Sequence, residues 1–177
     1  NMASFIYSKR ALLFCFSIIV IVFLWLFFGA GFSVGINKAE AAVPTVVNVG
    51  TVADGTKLVT PGMPANVLKD DILLLFIESS DESITVSGGT ETWTQIAGSP
   101  ITGVAGTDLT VYWARASQDA PTSPTTNSPA DHVLARIIAF RGVVTSGNPW
   151  DVVSTSTEAS DTSVSMPNTT TTVADAL

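Results

Sequence analysis

The sequence predicts an all-β chain, an antiparallel β-sandwich behind one hydrophobic N-terminal helix, and three observations carry that prediction. After Ala42 the chain is rich in Thr, Ser, Val, Gly and Pro and poor in Lys, Glu and Gln, a bias that suits strands and turns better than helices. No amphipathic helical stretch of useful length follows Ala42, so the crossover helices of a parallel α/β sheet are missing. Short apolar or alternating runs recur instead between Gly, Pro and Asn turn signals. Closure of the same strands into a small β-barrel is the alternative.

The hydrophobic helix is the uncharged run Ala11 to Phe28, preceded by Lys9 and Arg10. At about 1.5 Å per residue it is long enough to cross a hydrocarbon layer of about 30 Å. The basic side faces the cytoplasm by the positive-inside bias, which sends the rest of the chain outside. Ala39-Glu40-Ala41 is a small-x-small cleavage site, giving residues 1–41 as a signal peptide and residues 42–177 as the mature domain. Retention of the segment as a single-span membrane anchor is the competing reading. Asn1 before Met2 points to Met2 as the start.

A pattern match and a lone cysteine in this region carry no chemistry. Gly31-Phe32-Ser33-Val34-Gly35 fits the G-x-S-x-G nucleophile pattern, but that motif needs a strand-to-helix turn within an α/β sheet. The lone cysteine, Cys15, sits inside the apolar run, so the exported part has neither a disulfide nor a thiolate metal site. The formal charge is −7, and removing Lys9, Arg10 and Lys38 with Glu40 makes the remainder more negative still. An acidic exterior of this kind repels nucleic acid, which excludes that class of partner.

Taken in order, Val43 to Val52 alternates loosely behind Pro44 and reads as an edge strand. Asp54-Gly55 and Pro61-Gly62 are turn signals around a short strand from Lys57 to Thr60. Asp71 to Ser79, with six apolar residues in succession, is the strand expected at the centre, buried on both faces. Ile84 to Val86 and Trp93 to Ala97 flank the turn-forming Gly88-Gly89, and Thr102 to Asp108 is a hairpin-like connection. Leu109 to Ala116 sets Leu109, Val111 and Trp113 on one face. Ser117 to Ala130, with three prolines, reads as a loop, and His132 to Arg141 resumes as an alternating strand. Asn148 to Asp151 is a turn into Val152 to Ser156, and the Thr-rich Ser163 to Val173 is extended. Met166-Pro167 followed by Asp175-Ala176-Leu177 echoes Met63-Pro64 followed by Asp71-Ile72-Leu73, which predicts a further apolar strand opening at Asp175 and cut short, as in a fragment.

Three groups of residues carry a family resemblance: Trp93-Thr94-Gln95-Ile96, Leu109 to Ala116 as LTVYWARA, and Ala135 to Val143 as ARIIAFRGV with Asn148-Pro149-Trp150-Asp151. The chain resembles, over roughly Val46 to Leu177, a β-sandwich module of phage tail-fibre-like and bacterial surface or secreted proteins. The resemblance implies a fold and a setting and no catalytic residue. A glycine directly before the first tryptophan is expected of that module, whereas Thr92 stands there.

Candidate sites are few. His132 is the only histidine, and it stands at a strand end without a motif partner, which gives no catalytic set. Glu78, Asp81 and Glu82 are the oxygen-rich candidates for calcium, although no EF-hand spacing supports them and no cofactor is implied. Arg136 interrupts an apolar face and, if that face is buried, calls for a structural carboxylate partner, with Glu78 and Asp108 as the candidates. Trp93 and Trp113 are assigned to the core, leaving Trp150 and Tyr112 as the surface aromatics on which a sugar ring can stack. Asn168-Thr169-Thr170 is a glycosylation sequon, meaningful only in a eukaryotic secretory route. The functional expectation is an exported, non-enzymatic module for structure or adhesion at the cell surface, meeting the membrane during export and a surface glycan or protein afterwards. A glycan-binding module, or the N-terminal part of a carbohydrate-active enzyme, is the alternative.

Overall fold

A computed structural model of the chain describes residues 43–80, 83–103, 106–129, 132–157, 167–170 and 172. The expected leader, its G-x-S-x-G match, Cys15, the calcium candidates Asp81 and Glu82, and Asp175 all lie outside the described residues. Among the described residues there is no helix, and hence none long and apolar enough to cross a membrane.

Among the described residues, ten strands form two antiparallel sheets that do not close into a barrel. They are β1 (Thr45–Val49), β2 (Ala53–Gly55), β3 (Leu58–Val59), β4 (Ile72–Ser79), β5 (Thr85–Ser87), β6 (Thr94–Gln95), β7 (Ile101–Thr102), β8 (Asp108–Arg115), β9 (Thr125–Asn127) and β10 (Val133–Arg141). The larger sheet runs β1-β10-β4-β8-β6, with β2 also on β10 and β7 also on β8. The smaller sheet runs β3-β9-β5.

The apolar run of β4 takes the middle place because β10 pairs with it along one edge and β8 along the other. Its inward residues Leu73, Leu75 and Ile77 are fully buried, as are Val133, Ala135, Ile137 and Ala139 of β10. Val59 of the smaller sheet and Ile84, just before β5, meet them, and Tyr112 of β8 completes the layer. The outward residues Leu74 and Phe76 are only half-buried. Pro149, Trp150, Val152 and Val153 lie across the near end of that outer face and line, with Ile72 and Leu74, a half-open apolar pocket of about 240 Å³. The central strand is therefore sealed on its inner face and partly covered on its outer one.

Several expectations change in detail. Asp54-Gly55 is the end of β2, whose three residues pair with β10, because the edge of β10 beyond β1 offers free backbone groups. The Pro-rich stretch read as a loop contains β9, the middle strand of the smaller sheet. Thr126 there is fully buried and its hydroxyl donates to the Val59 carbonyl at 3.3 Å. Pro124 and Ser128 flank the strand without occupying its pairing positions, so the prolines shorten it and do not abolish it.

Arg136 does not take a carboxylate partner. It points to the outer face, is exposed, and donates from Nε to the Gly50 carbonyl at 3.1 Å. Asp108 is buried at the start of β8 and its Oδ1 has no partner among the described residues.

Candidate functional site

The antiparallel register brings the start of β4 beside the ends of β8 and β10, since Ile72 faces Arg115 on one side and Phe140 on the other. Four connections therefore gather at one end of the sandwich, around residues 66–71, 88–93, 116–122 and 142–149. Their sequences are polar and turn-rich, so local propensity alone would leave them loose.

Side-chain and backbone bonds tie them to one another. Asp71, 2% exposed, accepts from Arg141 Nε at 2.8 Å and from Arg141 Nη2 at 2.7 Å, and also from the Leu68 amide at 2.8 Å. The same guanidinium donates to the Asn66 carbonyl, which fixes both ends of the 66–71 loop. The fork geometry of an arginine on a carboxylate is what permits two parallel bonds. Asp71 raises the Arg141 pKa, first through the side-chain hydrogen bond, so the guanidinium holds its proton more firmly than a free one.

The neighbouring loops repeat the pattern. Asp119 accepts from the Lys69 amide at 2.8 Å, and Ala120 N–H donates to the Val67 carbonyl. Both oxygens of Glu91 accept from the Ser117 amide at 3.0 Å, and the Ser117 hydroxyl adds a third bond. The hydroxyls of Thr90 and Thr122 lie 2.7 Å apart. Arg115 donates to the carbonyls of Val144 and Gly147, holding the connection after β10. The net effect is a cross-linked loop platform in place of independent loops.

Within the platform a groove of about 490 Å³ opens between the 90–94 segment and the end of β8. Trp113 forms one wall, and its ring meets Trp150 edge-on at 5.1 Å between centroids and 85° between planes. Glu91, Arg115 and the hydroxyls of Thr90, Thr92 and Thr94 supply the polar lining.

The residues singled out in the sequence fall differently. Tyr112, read as a surface aromatic, is in the core, where its hydroxyl donates to the Ile84 carbonyl at 2.9 Å. The inward face of β8 carries it, opposite Leu75. Trp150 stays half-buried but leans on the apolar outer face. Trp93 packs against the core as expected, with its indole N–H buried and unpartnered among the described residues, whereas Trp113 lies on the outer face. Glu78 contacts His132 Nε2 at 2.8 Å at the far end of the sheet, with the imidazole 55% exposed. No group of three or more His, Cys, Asp or Glu is gathered for a metal among the described residues. Asn168 of the sequon is exposed.

Sequence reasoning missed Glu91 and Arg115, because their partners are 26 and up to 32 residues away and no short motif signals them. Asp71 reads in the sequence as the start of the central strand, and its pairing with Arg141 spans 70 residues.

Burial raises the Tyr112 pKa above the ordinary phenol value. A folded-state pKa above the unfolded one means the stabilising contribution is complete below about pH 10 and is lost as pH rises from there through the raised folded value. Urea titrations should give a constant midpoint at pH 7 to 9 and a falling one above pH 10. Tyr112→Phe should flatten that fall while costing about 1 kcal/mol at neutral pH, since the Ile84 carbonyl loses its donor. An unchanged alkaline slope in the variant would assign the loss to other groups.

Comparison with family models, with curated proteins and with solved structures finds no match to the chain.

Proposed function

We propose that the chain is an exported, non-enzymatic β-sandwich module that presents its loop platform at a cell surface for adhesion or assembly. The observation that supports this best is the use made of charge at that end of the sandwich. Asp71, Glu91, Asp119, Arg115 and Arg141 all hold loop backbone in place. Groups spent in this way stiffen a recognition surface, and stiffening lowers the entropy lost when a partner docks. Export is motivated by the apolar run from Ala11 and the cleavage site at Ala39-Glu40-Ala41.

Fusing alkaline phosphatase after Leu177 of the full chain, in a bacterial host, tests the setting. Phosphatase activity is expected, because that enzyme gains its disulfides only outside the cytoplasm. An inactive phosphatase beside a fluorescent cytosolic reporter at the same position would place the domain inside and end this reading.

A further inference from the structure

The groove beside Trp113 has the makings of a ligand site, with the clamp residues Glu91, Arg115 and Ser117 forming part of its lining. Its volume of about 490 Å³ lies in the range of small-molecule sites, roughly 300 to 1,000 Å³. The lining combines the Trp113 indole, which meets Trp150 edge-on, and Ala114 with the polar residues Glu91, Arg115, Ser117 and three threonines. That combination of a flat apolar face and convergent hydrogen-bonding groups suits a molecule with an apolar face and a polar perimeter.

We propose that this groove binds a neutral saccharide, one ring lying against Trp113 with its hydroxyls meeting Glu91, Arg115 and the threonines. The inference rests on the display reading for its biological setting. Neutrality follows from charge: the lining has one carboxylate and one guanidinium, which offset each other, in a chain of formal charge −7 that repels anions. Glu91 is suited to accept from a sugar hydroxyl, because its three bonds from Ser117 fix its position and a carboxylate has about four acceptor sites. Threonine hydroxyls both donate and accept, which matches the dual character of sugar hydroxyls. The apolar cavity under Trp150 is a poorer candidate, since its walls offer a sugar almost no hydrogen bonds.

The test uses the full chain and an array of neutral oligosaccharides built on glucose, galactose, mannose and N-acetylglucosamine, with sialylated and sulfated glycans alongside. Binding of one neutral class is expected, weakened about tenfold or more in both Trp113→Ala and Thr92→Arg. Thr92 is exposed, so its arginine variant obstructs the groove while the core stays intact, and thermal unfolding should match the parent. Absence of neutral-glycan binding, binding confined to the anionic glycans, or neutral binding unchanged in Thr92→Arg would each overturn the proposal. The phosphatase fusion reports separately on display, so a chain that is outside yet binds no saccharide refutes the groove alone.

Discussion

Replacing Gly50 with alanine should destabilise the domain by roughly 3 kcal/mol and lower the unfolding midpoint by about 10 °C. A Cβ at this position would stand 1.9 Å from the Gly62 carbonyl oxygen and 3.3 Å from that of Ile137. Neither contact is with the flexible end of a side chain, so relief requires the backbone to move. That movement breaks the bond from the Gly50 amide to the Ile137 carbonyl at 2.8 Å and strains the one from Gly62 to Thr51 at 3.0 Å. Gly62→Ala should cost a comparable amount, because its Cβ would meet Thr51 Oγ1 at 2.1 Å and the Thr51 amide at 3.0 Å. Gly88→Ala provides the contrast. Nothing lies within 4 Å of its Cβ, so only the left-handed φ of 70° is penalised, at about 1 kcal/mol. Equal midpoints for Gly50→Ala and Gly88→Ala would show that the 50–62 approach is not tight in solution.

This close approach marks the limit of what could be read from the chain. Pro61-Gly62 was legible as a turn, and Gly50 lay within an expected edge strand. That the two glycines would lie back to back follows only from the fold of the whole 45–62 segment around β10. The same limit applies to the platform. Strands β4, β8 and β10 were legible because their patterns are long and strongly apolar or alternating, and hydrophobic burial is a local signal in the sequence. Strand β9 was not, since Thr125, Thr126 and Asn127 carry no apolar pattern and the strand owes its place to pairing with β3 and β5. Glu91 and Arg115 were equally silent, because a charged residue that bonds distant backbone looks like any solvated one.

The alternation of β8 was read correctly, but which side faces the second sheet was not. Tyr112 and Trp113 exchanged their expected places for that reason. A one-position change of face moves every side chain of a strand from core to surface. Trp113 is the bulkier and more apolar residue, which favoured it for the core. Tyr112 took the place because its ring fits opposite Leu75 while its hydroxyl reaches the Ile84 carbonyl, satisfying the one polar atom it buries. The proposed saccharide groove exists because Trp113 was left outside.

The second large effect is expected at Leu75, where alanine should cost about 3 to 4 kcal/mol. Leu75 is fully buried in the middle of β4, with Ile137 and Tyr112 as its register partners on either side. Truncation removes its transfer free energy and leaves a cavity that two flanking strands and the smaller sheet cannot collapse into without losing their own pairing. Leu74→Ala, one residue away, should cost less than half as much. Leu74 faces the outer side, is half-buried, and already borders the 240 Å³ cavity beneath Trp150, so fewer contacts are lost. The ratio of the two losses in chemical denaturation measures how unequal the faces of the central strand are. Equal losses at Leu74 and Leu75 would mean that the outer face is packed as tightly as the inner one, and the two-sheet core described for this domain would then be incomplete.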